Sequence, residues 1–217
     1  MTSAEELRLK VRQIINEMHD DNAVGLLADD TRSIDEHILA LLPDAVLWIQ
    51  KNKGWGGVNV KSGVEAATIK DNGDGTGRIL LPEDFVDIVA LQMEGWQRPC
   101  ATLFPSGSAV AAAQLDKYTR AGVCRPVCVD AFNERGQRVA CYYSLPPDKE
   151  PRLLTLLYEA RYNPDEGLAG NDEALHKAVA YQCAAMLYNV FERRDCANSL
   201  MAIAAAYCNN VQTNEKK

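Results

Sequence analysis

The stretch Asp71-Asn72-Gly73-Asp74-Gly75-Thr76-Gly77-Arg78-Ile79-Leu80-Leu81-Pro82-Glu83 (DNGDGTGRILLPE) admits two readings, and the choice between them decides what fold surrounds it. Counted from Asn72, side-chain oxygens fall at positions 1, 3 and 5, glycine at 6, an aliphatic residue at 8 and glutamate at 12, the spacing of a helix-flanked calcium loop. Such a loop needs an entering helix, whereas the preceding GVEAATIK is short and its Val, Thr and Ile favour a strand. Asn72 at the first position also removes one carboxylate, and Pro82 constrains the approach to Glu83. Asn-Gly and Asp-Gly between two strand-like runs instead predict a hairpin, because asparagine and glycine tolerate the positive φ of tight turns. The surroundings of residues 71–83 are therefore expected to be β structure.

Working outward, short runs rich in Val, Ile, Leu or Tyr and bounded by turn residues occur at Glu65–Ile69, Gly77–Leu81, Asp87–Met93, Pro126–Phe132, Val139–Ser144 and Leu153–Tyr162. Six strands imply a sandwich or a partly open barrel. Between them the alanine-rich Ser108–Arg120 predicts one helix. On the N-terminal side, KNKGWGGVNVKSG (51–63) is too rich in glycine for a helix and marks a change of architecture. Before it, Ser3-Ala4-Glu5-Glu6 and Ser33-Ile34-Asp35-Glu36 have the form of capping boxes. Apolar residues follow each at helical spacing, predicting helices over about 4–19 and 33–51. Pro43 lies inside the second and is expected to kink it or break it in two. After the β region, Asn171 or Asp172 caps a run carrying Leu175, Val179, Cys183, Met186, Leu187, Val190 and Phe191, and the pattern resumes beyond Arg194-Asp195.

The expected class is α+β: an antiparallel bundle of the N- and C-terminal helices with an inserted antiparallel β-sandwich or barrel-like region. Residues 1–52 and 165–209 are assigned to the bundle and 53–164 to the β-rich insertion, with its one helix near 108–120. Residues 210–217 form a polar C-terminal tail.

The chain has 217 residues, 47% apolar and 24% charged, which is enough to bury a core without help from disulfides. The seven cysteines are an odd set and are expected to be reduced. No stretch is apolar enough to span a membrane, and MTSAEELRLKVRQ lacks the apolar core of a signal peptide, so folding in a cytoplasm is expected. A formal charge of −7 argues against a protein that grips nucleic acid by neutralising phosphates. It is compatible with one that DNA passes through.

Sites for chemistry are sparse. Cys124 and Cys128 are separated by three residues, and on an extended strand they would stand roughly 13 Å apart, too far to share one zinc. The three histidines, His19, His37 and His176, fall on predicted helices outside any metal or catalytic spacing. Asp20-Asp21, Asp29-Asp30 and Glu83-Asp84 sit beside turns or helix starts, where solvated acids are expected. Gly73, Gly75 and Gly77 have no helix behind them to complete a phosphate loop. No catalytic, cofactor-binding or metal-ligating residue is assigned, and an enzyme is not expected.

One combination is more informative than these motifs. Leu81-Pro82-Glu83-Asp84-Phe85 leads into a strand that ends in Gly95-Trp96-Gln97-Arg98-Pro99. Arg125-Pro126-Val127-Cys128-Val129 and Val139-Ala140-Cys141-Tyr142-Tyr143 then form a strand-turn-strand unit, Leu145-Pro146-Pro147 precedes the strand Leu153–Tyr158, and an alanine-rich helix closes the chain. From about residue 30 to 207 this order resembles the head-to-tail adaptors of tailed bacteriophages, of the tail tubular protein A type. Similar adaptors occur in crAss-like phages.

The resemblance implies a structural virion protein at the head-tail junction, assembled in the bacterial host cytoplasm. It implies a ring of neighbouring adaptor subunits with the portal's twelvefold symmetry, joining the portal protein to a further tail or ring protein. The ring would form part of the channel through which DNA leaves, without specific DNA binding or membrane contact. It also implies a docking tail for the portal at Val211, Gln212, Thr213, Asn214, Glu215, Lys216 and Lys217. Ring contacts would use apolar groups such as Trp48, Trp55 and Trp96, for each of which a place in the core is the alternative reading. Two rival readings stand beside it: a monomeric calcium- or ligand-binding module using residues 72–83, and an enzyme gathering His37 or His176 with an acid and a cysteine.

Overall fold

The computed structural model describes residues 2–17, 33–52, 58–146, 150–169 and 173–214. Among these it is a mixed α+β structure with five helices and two sheets. The chain divides into two compact units, Met1–Asn59 together with Arg161–Lys217, and Val60–Ala160.

The first unit contains helices α1 (Ala4–Glu17), α2 (Ile34–Asn52), α4 (Glu173–Val190) and α5 (Arg194–Asn214). Both N-terminal helices start on reciprocal capping boxes. Ser3 Oγ accepts from Glu6 N at 3.1 Å while Ser3 N donates to Glu6 Oε2 at 2.9 Å. Ser33 and Glu36 repeat the exchange at 3.3 and 2.8 Å. The centre of the unit is α4, which packs on α1, α2 and α5. Alanines at 178, 180, 184 and 185 are buried on several of its sides, alongside Leu175, Val179, Cys183 and Leu187. A helix that is apolar nearly all round is a buried helix, and small side chains let its neighbours approach closely. Leu7 and Val11 of α1, Ile38, Leu42 and Ile49 of α2, and Leu200 of α5 close the cluster.

Of the expected kink or break at Pro43, the break does not occur: α2 runs through it as one helix. The lost bond is the one to the carbonyl of Leu39, an exposed residue beside which water can take the place of the missing donor. The segment after α4 ends the helix more firmly: Glu192 takes φ 59° and Arg193 N donates back to Tyr188 O at 2.9 Å. Near the start of the chain, Thr2 and Leu168 exchange backbone bonds at 3.0 and 2.8 Å. Gly167, at φ 71°, is required there, since a Cβ would lie 2.6 Å from Thr2 O.

The second unit holds two sheets. β1 (Val60–Ser62), β8 (Leu153–Ala160) and β4 (Phe85–Met93) form an antiparallel three-stranded sheet in the order β1-β8-β4. β2 (Thr68–Asp71), β3 (Gly77–Leu80), β7 (Arg138–Tyr142), β6 (Cys128–Phe132) and β5 (Leu103–Pro105) form the other, in the order β2-β3-β7-β6-β5. Ile79, Cys128, Ala140 and Tyr142 of the larger sheet share one hydrophobic cluster with Phe85, Leu91, Leu156 and Tyr158 of the smaller.

The expected all-antiparallel arrangement fails at one edge, where β5 runs parallel to β6. A parallel neighbour needs a long crossover, and residues 106–127, containing α3 (Ala109–Gln114), supply it. That helix is much shorter than the expected 108–120. Ser108 caps it through Ala111 N, but the Gln114 side chain accepts from Ala121 N at 2.9 Å and the Gln114 carbonyl from Arg120 Nε at 3.2 Å. Asp116 then takes Tyr118 N at 2.9 Å. Side chains thus offer this backbone a turn in place of further helix.

Asp35 at the start of α2 is shared by two arginines of α1, Arg8 Nη1 at 2.6 Å and Arg12 Nε at 2.7 Å. The Arg12 hydrogen bond, followed by that from Arg8, holds its carboxyl below the ordinary 3.8. A depressed carboxylate stabilises the folded state fully above its unfolded value, and the contribution is lost as pH falls through the folded one. Asp35→Asn is therefore expected to lower the melting temperature at neutral pH, and the gap from the parent protein should close as melts are recorded at pH values progressively below about 3.8.

Candidate functional site

Residues 72–76 connect β2 and β3, whose register runs from Thr68↔Leu80 to Asp71↔Gly77. Asn72 N donates to Thr76 O at 3.0 Å, Asn72 Nδ2 donates to Thr76 Oγ1 at 2.9 Å, and Asp74 Oδ1 accepts from Thr76 N at 3.0 Å and Thr76 Oγ1 at 2.5 Å. The Thr76 hydroxyl lowers the Asp74 carboxyl. Side-chain groups that a calcium loop would turn toward a cation are thus bonded to one another inside a hairpin turn. Gly75 sits at φ 80°, its carbonyl accepts Leu145 N at 3.0 Å, and an added Cβ would fall 2.1 Å from Leu145 O. Gly77 is bare because the Tyr142 hydroxyl occupies the space of a side chain, 2.2 Å from the Cβ position. That hydroxyl donates to Asp71 Oδ1 at 3.2 Å.

The adjoining LPEDF segment is likewise structural. Phe85 N donates to Pro82 O at 3.1 Å, turning the chain into β4. Asp84 accepts from Lys61 Nζ at 3.0 Å and from Tyr158 OH at 2.9 Å. Of the other acidic pairs, Asp20-Asp21 and Asp29-Asp30 lie outside the described residues, as does His19.

His37 packs edge-on against Phe191, with ring centroids 6.1 Å apart. His176 is buried, with Nδ1 2.8 Å from Thr2 Oγ1. Cys183, between these helices, has its thiol pushed up to about 12 by burial, the reverse of what a nucleophile needs. Cys124 is exposed while Cys128 is in the core, and the strand begins only at Cys128. Cys100 Sγ donates to Thr102 O at 3.1 Å, and its interaction with the Cys128 thiol lowers the pKa of Cys100 and raises that of Cys128. Nothing in the linear spacing of residues 100 and 128 marks this pair, because a turn, a strand and a crossover separate them. Among the described residues, no group of three or more His, Cys, Asp and Glu is gathered as a metal site would require.

Of the assigned docking tail, Val211, Gln212, Thr213 and Asn214 continue the α5 backbone as helix, and Glu215, Lys216 and Lys217 lie outside the described residues. Trp96, expected at a subunit contact, is 5% exposed and donates through Nε1 to Ser144 O at 3.2 Å. Trp48 packs partly buried against the helical core, and Trp55 lies outside the described residues. Among the described residues, the large apolar side chains that do face solvent are Leu9, Leu39, Val190 and Ile203 in the helical unit and Leu115, Tyr118, Phe132 and Leu154 in the β unit. In the helical unit, Lys10, Lys177, Tyr181 and Tyr207 also border a groove of about 340 Å³, with the two tyrosine rings stacked at 5.7 Å.

No protein-family model and no curated protein matches the sequence.

Two outcomes follow from the hairpin. Gly75→Ala is expected to destabilise the protein by more than about 2 kcal/mol in urea melts, since positive φ and a backbone clash act together. Calorimetric titration with calcium is expected to give no saturable heat at sub-millimolar concentration; a stoichiometric signal would show that the Asn72–Thr76 bonds yield to the cation.

Proposed function

We propose that this chain is a structural subunit of a ring assembly, working through two cored units and no catalytic centre. The particular assembly we propose is the head-tail junction of a tailed bacteriophage, with this protein as the adaptor between portal and tail. The observation that carries the reading is the chain's organisation: both ends build one helical unit, and residues 60–160 form a separately cored β unit inserted between them. In the finer form of the proposal, the helices make an antiparallel bundle and the two sheets make a sandwich, antiparallel except at the β5 edge.

Three further features support the reading. The order from LPEDF through the paired strands to the closing alanine-rich helix is the one that resembles adaptors. Solvent-facing apolar side chains occur on both units, giving each a means of touching a different neighbour. The polar groups that could have formed a site, at Asp74, Asp84 and His176, hold the fold together. In this role the helical unit and the tail from Val211 to Lys217 engage the portal protein. The β unit engages the next tail or ring component, neighbouring copies close the twelvefold ring, and DNA crosses it without sequence-specific contact.

The test is binding to a purified phage portal together with mass spectrometry of virions. The protein is expected in the particle, and truncation after Asn210 is expected to reduce portal binding by about tenfold or more while leaving the melting temperature unchanged. Absence from virions together with no portal binding by the full chain would overturn the reading.

A further inference from the structure

The outward face of the five-stranded sheet carries a charge arrangement that the fold itself does not explain. Register places Lys70 of β2 directly opposite Arg78 of β3. Like charges opposed across a strand pair repel and weaken it. Neither side chain takes part in an ion pair or side-chain hydrogen bond among the described residues. The groups Arg78 faces electrostatically are the Cys141 thiol and the Tyr143 hydroxyl, and burial favours the neutral form of both.

The same sheet treats another arginine differently. Arg138 of β7 grips Asp130 through two parallel bonds of 2.9 and 2.8 Å, donates to Val86 O at 3.0 Å and lies over the Phe85 ring. An ion pair is therefore provided where an arginine serves the architecture, and among the described residues none is formed by Lys70 or Arg78.

These two residues line a groove of about 370 Å³ with Thr68, Asn133, Arg135 and Gln137. Arg135 is delivered by the β6–β7 turn, which is fixed internally. Asn133 Oδ1 accepts from Arg135 N and Gln137 N, both at 2.9 Å, Asn133 Nδ2 donates to Gln137 Oε1 at 3.0 Å, and Gly136 takes φ 73°. One carboxylate, Glu134, stands among the lining residues against three cations, on a chain whose formal charge is −7. Leu80 and Val139 form the apolar part of the lining.

We propose that this groove binds a phosphate-bearing anion. A carboxylate brings one charge and two oxygens, too little for the three cations that line this groove. A phosphate group brings up to two charges and several acceptor oxygens, which suit the fork of an arginine, a lysine ammonium and neighbouring amide and hydroxyl donors. The chemistry is shared by free polyphosphates and by the backbone of a nucleic acid. The proposal does not depend on the adaptor reading, and either can fail alone.

The experiment is isothermal titration of the full chain with inorganic tripolyphosphate at low ionic strength, repeated in the presence of a short single-stranded oligonucleotide. Saturable binding is expected, weakened by about tenfold or more in the Lys70→Gln/Arg78→Gln double variant. Lys177→Gln, which alters a lysine paired with Glu173 on α4, is the control and is expected to bind as the parent does. Relief of the cross-strand repulsion is expected to leave the melting temperature of the double variant equal to or above that of the parent, so weakened binding there is not a folding defect. Competition by the oligonucleotide assigns the phosphate to a nucleic-acid backbone, and its absence assigns it to free polyphosphate. No saturable binding by the parent at millimolar tripolyphosphate, or equal binding by the double variant, overturns the proposal.

Discussion

The helical unit depends on surrounding α4. Its alanines and its Leu175, Val179, Cys183 and Leu187 leave almost no side of the helix suited to water, so it is stable only when α1, α2 and α5 are all in place. Two of those partners precede the β unit in sequence and the third follows α4. The N-terminus is fastened to the same region by the Thr2–Leu168 backbone pair and the Thr2–His176 contact. Packing of one helix therefore ties together segments from both ends of the chain, which explains why a 101-residue unit can interrupt them without dividing their core.

In the β unit a different economy operates, in which polar side chains substitute for secondary structure at points where the chain must turn. Asn72, Asp74 and Thr76 close the β2–β3 turn, Gln114 and Asp116 end α3, and Asn133 organises the β6–β7 turn. Each is a residue type that also serves as a ligand elsewhere, and each is occupied by nearby backbone or by a neighbouring side chain of its own turn. Against that background, Lys70 and Arg78 stand out as charges that no turn, cap or ion pair absorbs.

Features governed by local chemistry were legible in the sequence. The capping boxes at Ser3 and Ser33 and the Asn-Gly/Asp-Gly hairpin act over three or four residues, and the structure forms them as the spacing predicts. Elements that depend on distant partners were not legible. β1 is three residues long in a glycine-rich stretch and exists because β8 is there to pair with it. β5 ends in Pro105 and is a strand only as the parallel edge neighbour of β6. For Trp96 the sequence left subunit contact and core both open, because the Ser144 carbonyl that satisfies its indole lies 48 residues away. The Lys70–Arg78 opposition was within reach, since counting outward from the turn past Asp71 and Gly77 pairs them. It carried no signal until the register and the absence of an ion pair at either residue, among the described residues, were known.

The short strand β1 has a consequence for how the chain finds its fold. By pairing Val60 with Glu159, it sets the two ends of the β unit side by side, and Asn59 Nδ2 then reaches Arg161 O at 3.2 Å. To the helices on either side, a hundred-residue insert pinned in this way is entropically a connection of a few residues. For a flexible chain the difference in closure cost is roughly 3 kcal/mol. Three residues at a sheet edge thus lower the entropic cost of gathering α1 and α2 with α4 and α5 across the insert.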